Sequence, residues 1–198
     1  MCGVVGVFGR SDRPTVSAGL ATLSHRGPDD EYVVNGQDFT MGACRLSIVD
    51  VEGGRQPMAN ETGTVWTAQN GELYNSPTLR TQLIAGGHTF HSHCDTEVLP
   101  HLYEEHGDAF VEHLRGMFAV ALWDGRKQRL VLARDRFGKK PLYFRQPSAN
   151  SLAFASELKA LKALLPNVKW SVREQGVYDF LSLGCVPQPE TIFQDVQQ

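Results

Sequence analysis

Directly after Cys2 the chain runs Gly3-Val4-Val5-Gly6-Val7-Phe8-Gly9, a short β-branched segment unbroken by charge. Such a run fits a strand buried on both faces rather than an amphipathic one, so Cys2 stands at the mouth of a core strand. The rest of the chain decides what that strand packs with. Val16, Leu20 and Leu23 recur at helical spacing over residues 15–25, and Gly27-Pro28 stops the pattern. Residues 39–46 and 64–69 read as strands, the second ending at the turn pair Asn70-Gly71. Helices are expected over 76–85, with Ser76 as N-cap and Pro77 at the first position, and over 95–106. Residues 117–123 and 129–134 flank Asp124-Gly125-Arg126 as a β-hairpin. Strands over 142–144 and 152–155, a helix starting at Ser156, a loop through Pro166 and a helix over 172–183 complete the reading. Strands outnumber helices, short turns join them and no βαβ rhythm occurs, which predicts an α+β fold of antiparallel sheets layered with helices.

With 198 residues, of which 41% are hydrophobic, the chain can bury one substantial core. A net charge of -3 with scattered lysines and arginines leaves no electrostatic footprint for nucleic acid or an anionic membrane. No apolar run approaches the roughly 18 residues that span a bilayer, so the chain is expected to be soluble and cytoplasmic. Cys2, Cys44, Cys94 and Cys185 form no CxxC pair, and neither a disulfide framework nor a zinc site is expected. His91, His93 and Cys94 alternate without a distant fourth ligand, so the expected metal complement is none.

A small second residue permits removal of Met1, which would place a thiol and a free α-amine on Cys2. An α-amine titrates near 7.7–8.0 and can serve as general base toward its own thiol. Met-Cys-Gly alone is also just a start site with a small second residue. Further along come His25-Arg26-Gly27-Pro28-Asp29, Arg45-Leu46-Ser47-Ile48-Val49-Asp50, Asn70-Gly71-Glu72-Leu73-Tyr74-Asn75, Asp95-Thr96-Glu97 and Arg134-Asp135-Arg136-Phe137-Gly138-Lys139-Lys140-Pro141-Leu142-Tyr143, in that order. Together with Cys2-Gly3-Val4-Val5-Gly6 they resemble the N-terminal glutaminase domain of glutamine-hydrolysing asparagine synthetases, within the class II, N-terminal-nucleophile amidotransferases. The segments around Arg45, Asn70 and Arg134 match that branch rather than glucosamine-phosphate synthase or phosphoribosyl amidotransferase.

The resemblance implies a four-layer αββα sandwich of two mostly antiparallel sheets over residues 2–165. Residues 166–198 would form a linker and the start of a missing ATP-dependent synthetase domain. It implies that Cys2 attacks the amide of L-glutamine and forms a thioester, with Asn70 and Gly71 as the oxyanion hole. Arg45 would pair with the substrate carboxylate, residues Leu46, Ser47, Ile48 and Val49 would line the pocket, and Glu72 and Asp95 would meet the ammonium. Read singly, Asn70-Gly71 is a hairpin turn, Arg45 a surface ion-pair member and Asp95 a helix N-cap. The Arg134 segment is not needed for amide hydrolysis and is expected to be structural or interfacial, with Gly138 in a turn. The family usually carries His two positions before the arginine, where this chain has Ala43. No phosphate loop is present, so no cofactor is expected here, and ATP and magnesium would belong to the synthetase domain or subunit. The implied partners are glutamine and that synthetase, with a homodimer also open. A degenerate glutamine-binding or interaction domain and a different N-terminal-nucleophile amide hydrolase are the competing readings.

Overall fold

The computed structural model describes residues 2–47, 50–51 and 53–198. The first strand, β1 (Gly3–Phe8), is buried along nearly its whole length, as its composition requires. It lies at the centre of a five-stranded antiparallel sheet with β2 (Asp30–Asn35), β3 (Phe39–Arg45), β8 (Tyr143–Ser148) and β9 (Ser151–Ala155), in the order β2-β3-β1-β9-β8. A second antiparallel sheet has the order β4-β5-β6-β7, from β4 (Met58–Ala59), β5 (Val65–Leu73), β6 (Gly116–Asp124) and β7 (Arg129–Arg134).

Helices α1 (Arg13–Ala21) and α4 (Leu158–Leu164) cover the outer face of the first sheet, burying Val16, Leu20, Leu161 and Leu164 against Val5 and Val7. Helices α2 (Ser76–Ala85) and α3 (Val98–His106) cover the outer face of the second, packing Leu79, Leu83, Leu99 and Leu102 against Val120 and Leu122. Between the sheets lie Val4, Met41, Ala43, Ala68, Ala119, Ala121, Trp123 and Phe154. This is the expected four-layer α+β sandwich. A last helix, α5 (Glu174–Leu183), ends at Gly184 in the left-handed conformation. Val168, Trp170, Phe193 and Val196 pack back onto the first sheet's outer core. No helix among the described residues is long and apolar enough to cross a membrane.

Several local expectations need correction. Residues Asn70 and Gly71 do not turn: β5 continues through them to Leu73, with Asn70 opposite Ala119 and Gly71 opposite Phe118. A Cβ at Gly71 would collide with the Met117 carbonyl oxygen, so the glycine serves close strand approach. Ser76 is already helical, and the capping position falls on Asn75, whose amide bonds the His113 carbonyl and the Arg115 N–H instead of the helix end. The helix expected over 15–25 ends at Ala21, followed by a 3₁₀ turn over Ser24–Arg26, while Asp12 caps its start. The helix expected to start at Ser156 starts at Leu158, because the Ser156 hydroxyl accepts from the Val4 N–H. The span 95–106 is a 3₁₀ turn, Asp95–Glu97, leading into α3. Strand β2 has no counterpart in the sequence reading, since it is a charged edge strand in which Val33 and Val34 alone are buried.

Candidate active site

Strand alternation decides what meets at the end of the sandwich. On β1, Val4 faces the other sheet, so Cys2, two residues earlier, shares that face. On β3, Met41 and Ala43 face the same gap and Arg45 follows them; on β5, Ala68 does so and Asn70 follows. Pairing of Gly3 with Cys44 brings the end of β3 beside the start of β1. Cys2, Arg45 and Asn70 therefore converge on one mouth of the inter-sheet layer.

Arg26 organises that mouth. Its Nε donates to the Cys2 carbonyl at 3.0 Å and its Nη1 to Glu157 Oε1 at 2.9 Å. The fully buried Asn70 amide, oriented to satisfy its neighbours, donates to the Cys2 carbonyl at 2.9 Å and accepts from Arg26 Nη2 at 3.3 Å. Burial works against the Glu157 charge, but hydrogen bonds from Arg26, His25 and Lys159 hold its carboxyl below the ordinary range. Neither Arg26 nor Glu157 had a role assigned from sequence. Arg26 lies inside a recognised motif, and only the 3₁₀ turn shows where its side chain goes.

The backbone donors of β5 are equally specific. Gln69 N–H is taken by Gln56 Oε1 at 2.7 Å and Leu73 N–H by Asp95 Oδ2 at 2.8 Å, so odd-numbered residues point their N–H away from β6. Alternation aims the Gly71 N–H at this same edge, next to Asn70. The Asp95 carboxylate also accepts from Gln69 Nε2 at 3.1 Å. It braces β5 rather than capping a helix. Glu72 is exposed on the same strand.

Arg45 is 5% exposed and so lies inside the site rather than on the surface. Its Nη2 donates to the Asp50 carbonyl at 2.8 Å and its Nη1 to the Val51 carbonyl at 3.2 Å. Gly54 lies so close that a Cβ there would collide with the guanidinium. Asp50 itself has φ 50°, and its carboxylate accepts from the His93 N–H at 2.6 Å and the Gly53 N–H at 3.0 Å. Those backbone donors depress its pKa. Asp50 thus ties the Arg45 loop to the segment leading into Asp95, a role that sequence reading missed because it depends on a left-handed aspartate. Leu46 is exposed, Ser47 N–H donates to Asp29 Oδ2 at 2.8 Å, and Ile48 and Val49 lie outside the described residues. An open cleft lined by Asp29, Asp30, Ser47, Val51 and Arg55 adjoins this loop. Ala43 is buried in the inter-sheet core between Val4 and Tyr32, one alternation below Arg45.

The Arg134 segment is structural in this domain. Asp135 accepts from the N–H groups of Phe118, Phe137, Lys139 and Lys140, while Arg134 donates to the Lys140 and Gly138 carbonyls. Gly138 turns the chain at φ 62°. His91 and His93 are exposed, Cys94 is buried, and the three do not form a metal cluster among the described residues.

A family model described as glutamine amidotransferase domain matches residues 1–198. The Bacillus subtilis protein named asparagine synthetase [glutamine-hydrolyzing] 3 is 41% identical over 206 residues, covering 100% of this chain and 33% of its own length. A protein of the same name from Arabidopsis thaliana is 42% identical over 166 residues, covering 81% of this chain and 28% of its own. Among solved structures, glutamine phosphoribosylpyrophosphate amidotransferase from Bacillus subtilis, complexed with ADP and GMP, aligns with a TM-score of 0.67 at 25% identity. That alignment covers 82% of this chain and 43% of the other. The chain spans about a third of the length of the first curated relative.

Proposed function

The chain belongs to the glutamine amidotransferase domain family, and on that premise we propose that it hydrolyses L-glutamine to supply ammonia for asparagine formation. The convergence of Cys2 with the Asn70 amide and Arg26 carries this reading. Once Met1 is removed, the Cys2 amine takes the thiol proton, directly or through a water, and the thiolate attacks the glutamine amide carbon. The tetrahedral oxyanion accepts from the Gly71 N–H and from the Asn70 amide, which leaves the Cys2 carbonyl to do so; one such donor is worth roughly 2.7–4 kcal/mol. Collapse expels ammonia after proton return, and water hydrolyses the thioester to glutamate.

Arg45, held against the Asp50 and Val51 carbonyls, presents a planar guanidinium to the substrate carboxylate. Asp95 and Glu72 receive the ammonium, and Leu46, Ser47, Ile48 and Val49 wall the pocket. The ammonia acceptor sits on a synthetase domain or subunit, where ATP and magnesium belong. Relatives about three times as long support that arrangement, as does the exposed apolar row of Tyr178, Phe180, Leu181 and Leu183 on α5. Residues 166–198 then form the passage to it.

Mature protein incubated with L-glutamine is expected to release glutamate and ammonia in equal amounts. Cys2→Ala, or any residue left ahead of Cys2, is expected to abolish release while the far-ultraviolet circular dichroism stays unchanged. No release from protein with a verified Cys2 N-terminus overturns the proposal. Loss of turnover on blocking the substrate carboxylate separates it from another amide hydrolase.

A further inference from the structure

At the opposite end of β5 lies a second cluster of chemistry-bearing side chains. Glu61 sits in the turn before that strand, His88 follows α2, and His101 and Glu104 occupy one face of α3 at i, i+3. A potential ligand atom from each lies within 4.8 Å of those from the other three. Five residues of extended chain, roughly 17 Å, separate Val65 at this end from Asn70 at the catalytic end. This cluster is not part of the glutamine site.

We propose that Glu61, His88 and His101, with Glu104 as fourth ligand, bind a divalent transition-metal ion of the zinc class. His101 is the strongest indication. It is 0% exposed and neither ring nitrogen has a hydrogen-bond partner. Its Nδ1 lies 3.0 Å from Glu61 Oε2 without the alignment a hydrogen bond needs. An unsatisfied buried nitrogen of this kind is unfavourable, and a cation between nitrogen and carboxylate satisfies Nδ1.

The second imidazole is already arranged as a ligand. His88 Nδ1 lies 3.0 Å from Glu61 Oε1, while Nε2 lies 3.1 Å from Glu105 Oε1. With Glu105 accepting from Nε2–H, Nδ1 is oriented toward the metal, the carboxylate–histidine relay common behind zinc ligands. Tetrahedral zinc places its nitrogen and oxygen ligands roughly 3.4 Å apart, inside the present span. Two imidazoles with carboxylates favour zinc over calcium or magnesium. Glu104 is held by Arg126 and must exchange that partner for the ion. The competing reading is a metal-free His–Glu clamp between the turn and the helix.

Zinc titration of chelator-treated protein against a chromogenic zinc indicator distinguishes the two. A Cys2→Ser background removes the accessible active-site thiol. About one zinc per chain is expected, with a rise in Tm on loading. Glu61→Gln and His88→Asn should each weaken binding at least tenfold and erase the Tm rise, whereas a His91→Ala/His93→Ala double variant should retain both. Absence of zinc binding, or binding unchanged in Glu61→Gln and His88→Asn, overturns the proposal.

Discussion

Arg26 is the residue on which the Cys2 main chain rests, and its guanidinium reaches Cys2, Asn70 and Glu157 together. Its side chain is 8% exposed while that of Glu157 is 25% exposed, so the pair is shielded on one side only. Arg26→Leu should lower unfolding stability by about 1–3 kcal/mol in urea titration, less than a fully buried broken pair because water reaches Glu157. The same variant is expected to lower glutamine turnover more than tenfold with a smaller effect on KM, since it misplaces Cys2 without touching the carboxylate clamp. A larger change in KM than in kcat would assign Arg26 to binding. The sequence displays Arg26 and Asp50 inside recognisable motifs but gives neither a role. Their partners are 131 and 43 residues away, at Glu157 and His93, and no local pattern specifies those meetings.

At the scale of elements, β5 joins Asn70 and Gly71, the proposed oxyanion donors, to the second sheet. Gly71→Ala forces a methyl against the Met117 carbonyl and the Phe118 Cα, so β6 must shift. Overpacking of this kind costs about 1–3 kcal/mol, and chemical denaturation should show it. Glutamine turnover should fall further than stability explains, because the Gly71 N–H moves with the strand. Asn70-Gly71 reads as a turn in the sequence because its local preference is the same wherever glycine is needed. Whether a left-handed turn or a close cross-strand carbonyl needs it is decided by β6, forty-odd residues later. By contrast, the β6–β7 hairpin was legible, since its turn chemistry is local: the Asp124 carboxylate accepts from the Arg126 and Lys127 N–H groups.

Across the whole molecule, buried or bonded carboxylates link the layers and set the response to acid. Asp50, Glu61, Asp135 and Glu157 all titrate below their ordinary values in the folded state. Each therefore adds stability above its unfolded pKa, near 4, and loses it as pH falls through the lower folded value. His88 has the opposite sign: its raised pKa contributes below about 6.5 and fades as pH rises through the folded value. Urea midpoints are expected to fall steeply below about pH 4.5, and a midpoint flat down to pH 3 would contradict this. The sequence by itself determined the core strand after Cys2, the antiparallel α+β class and the family, because apolar periodicity and ordered motifs are local and additive. Tertiary structure alone decided that Cys2, Arg45 and Asn70 share one mouth and that Glu61, His88 and His101 meet beside α3. The first meeting depends on the register and facing of two sheets and the second on how α2 and α3 pack over one of them, which no single segment encodes.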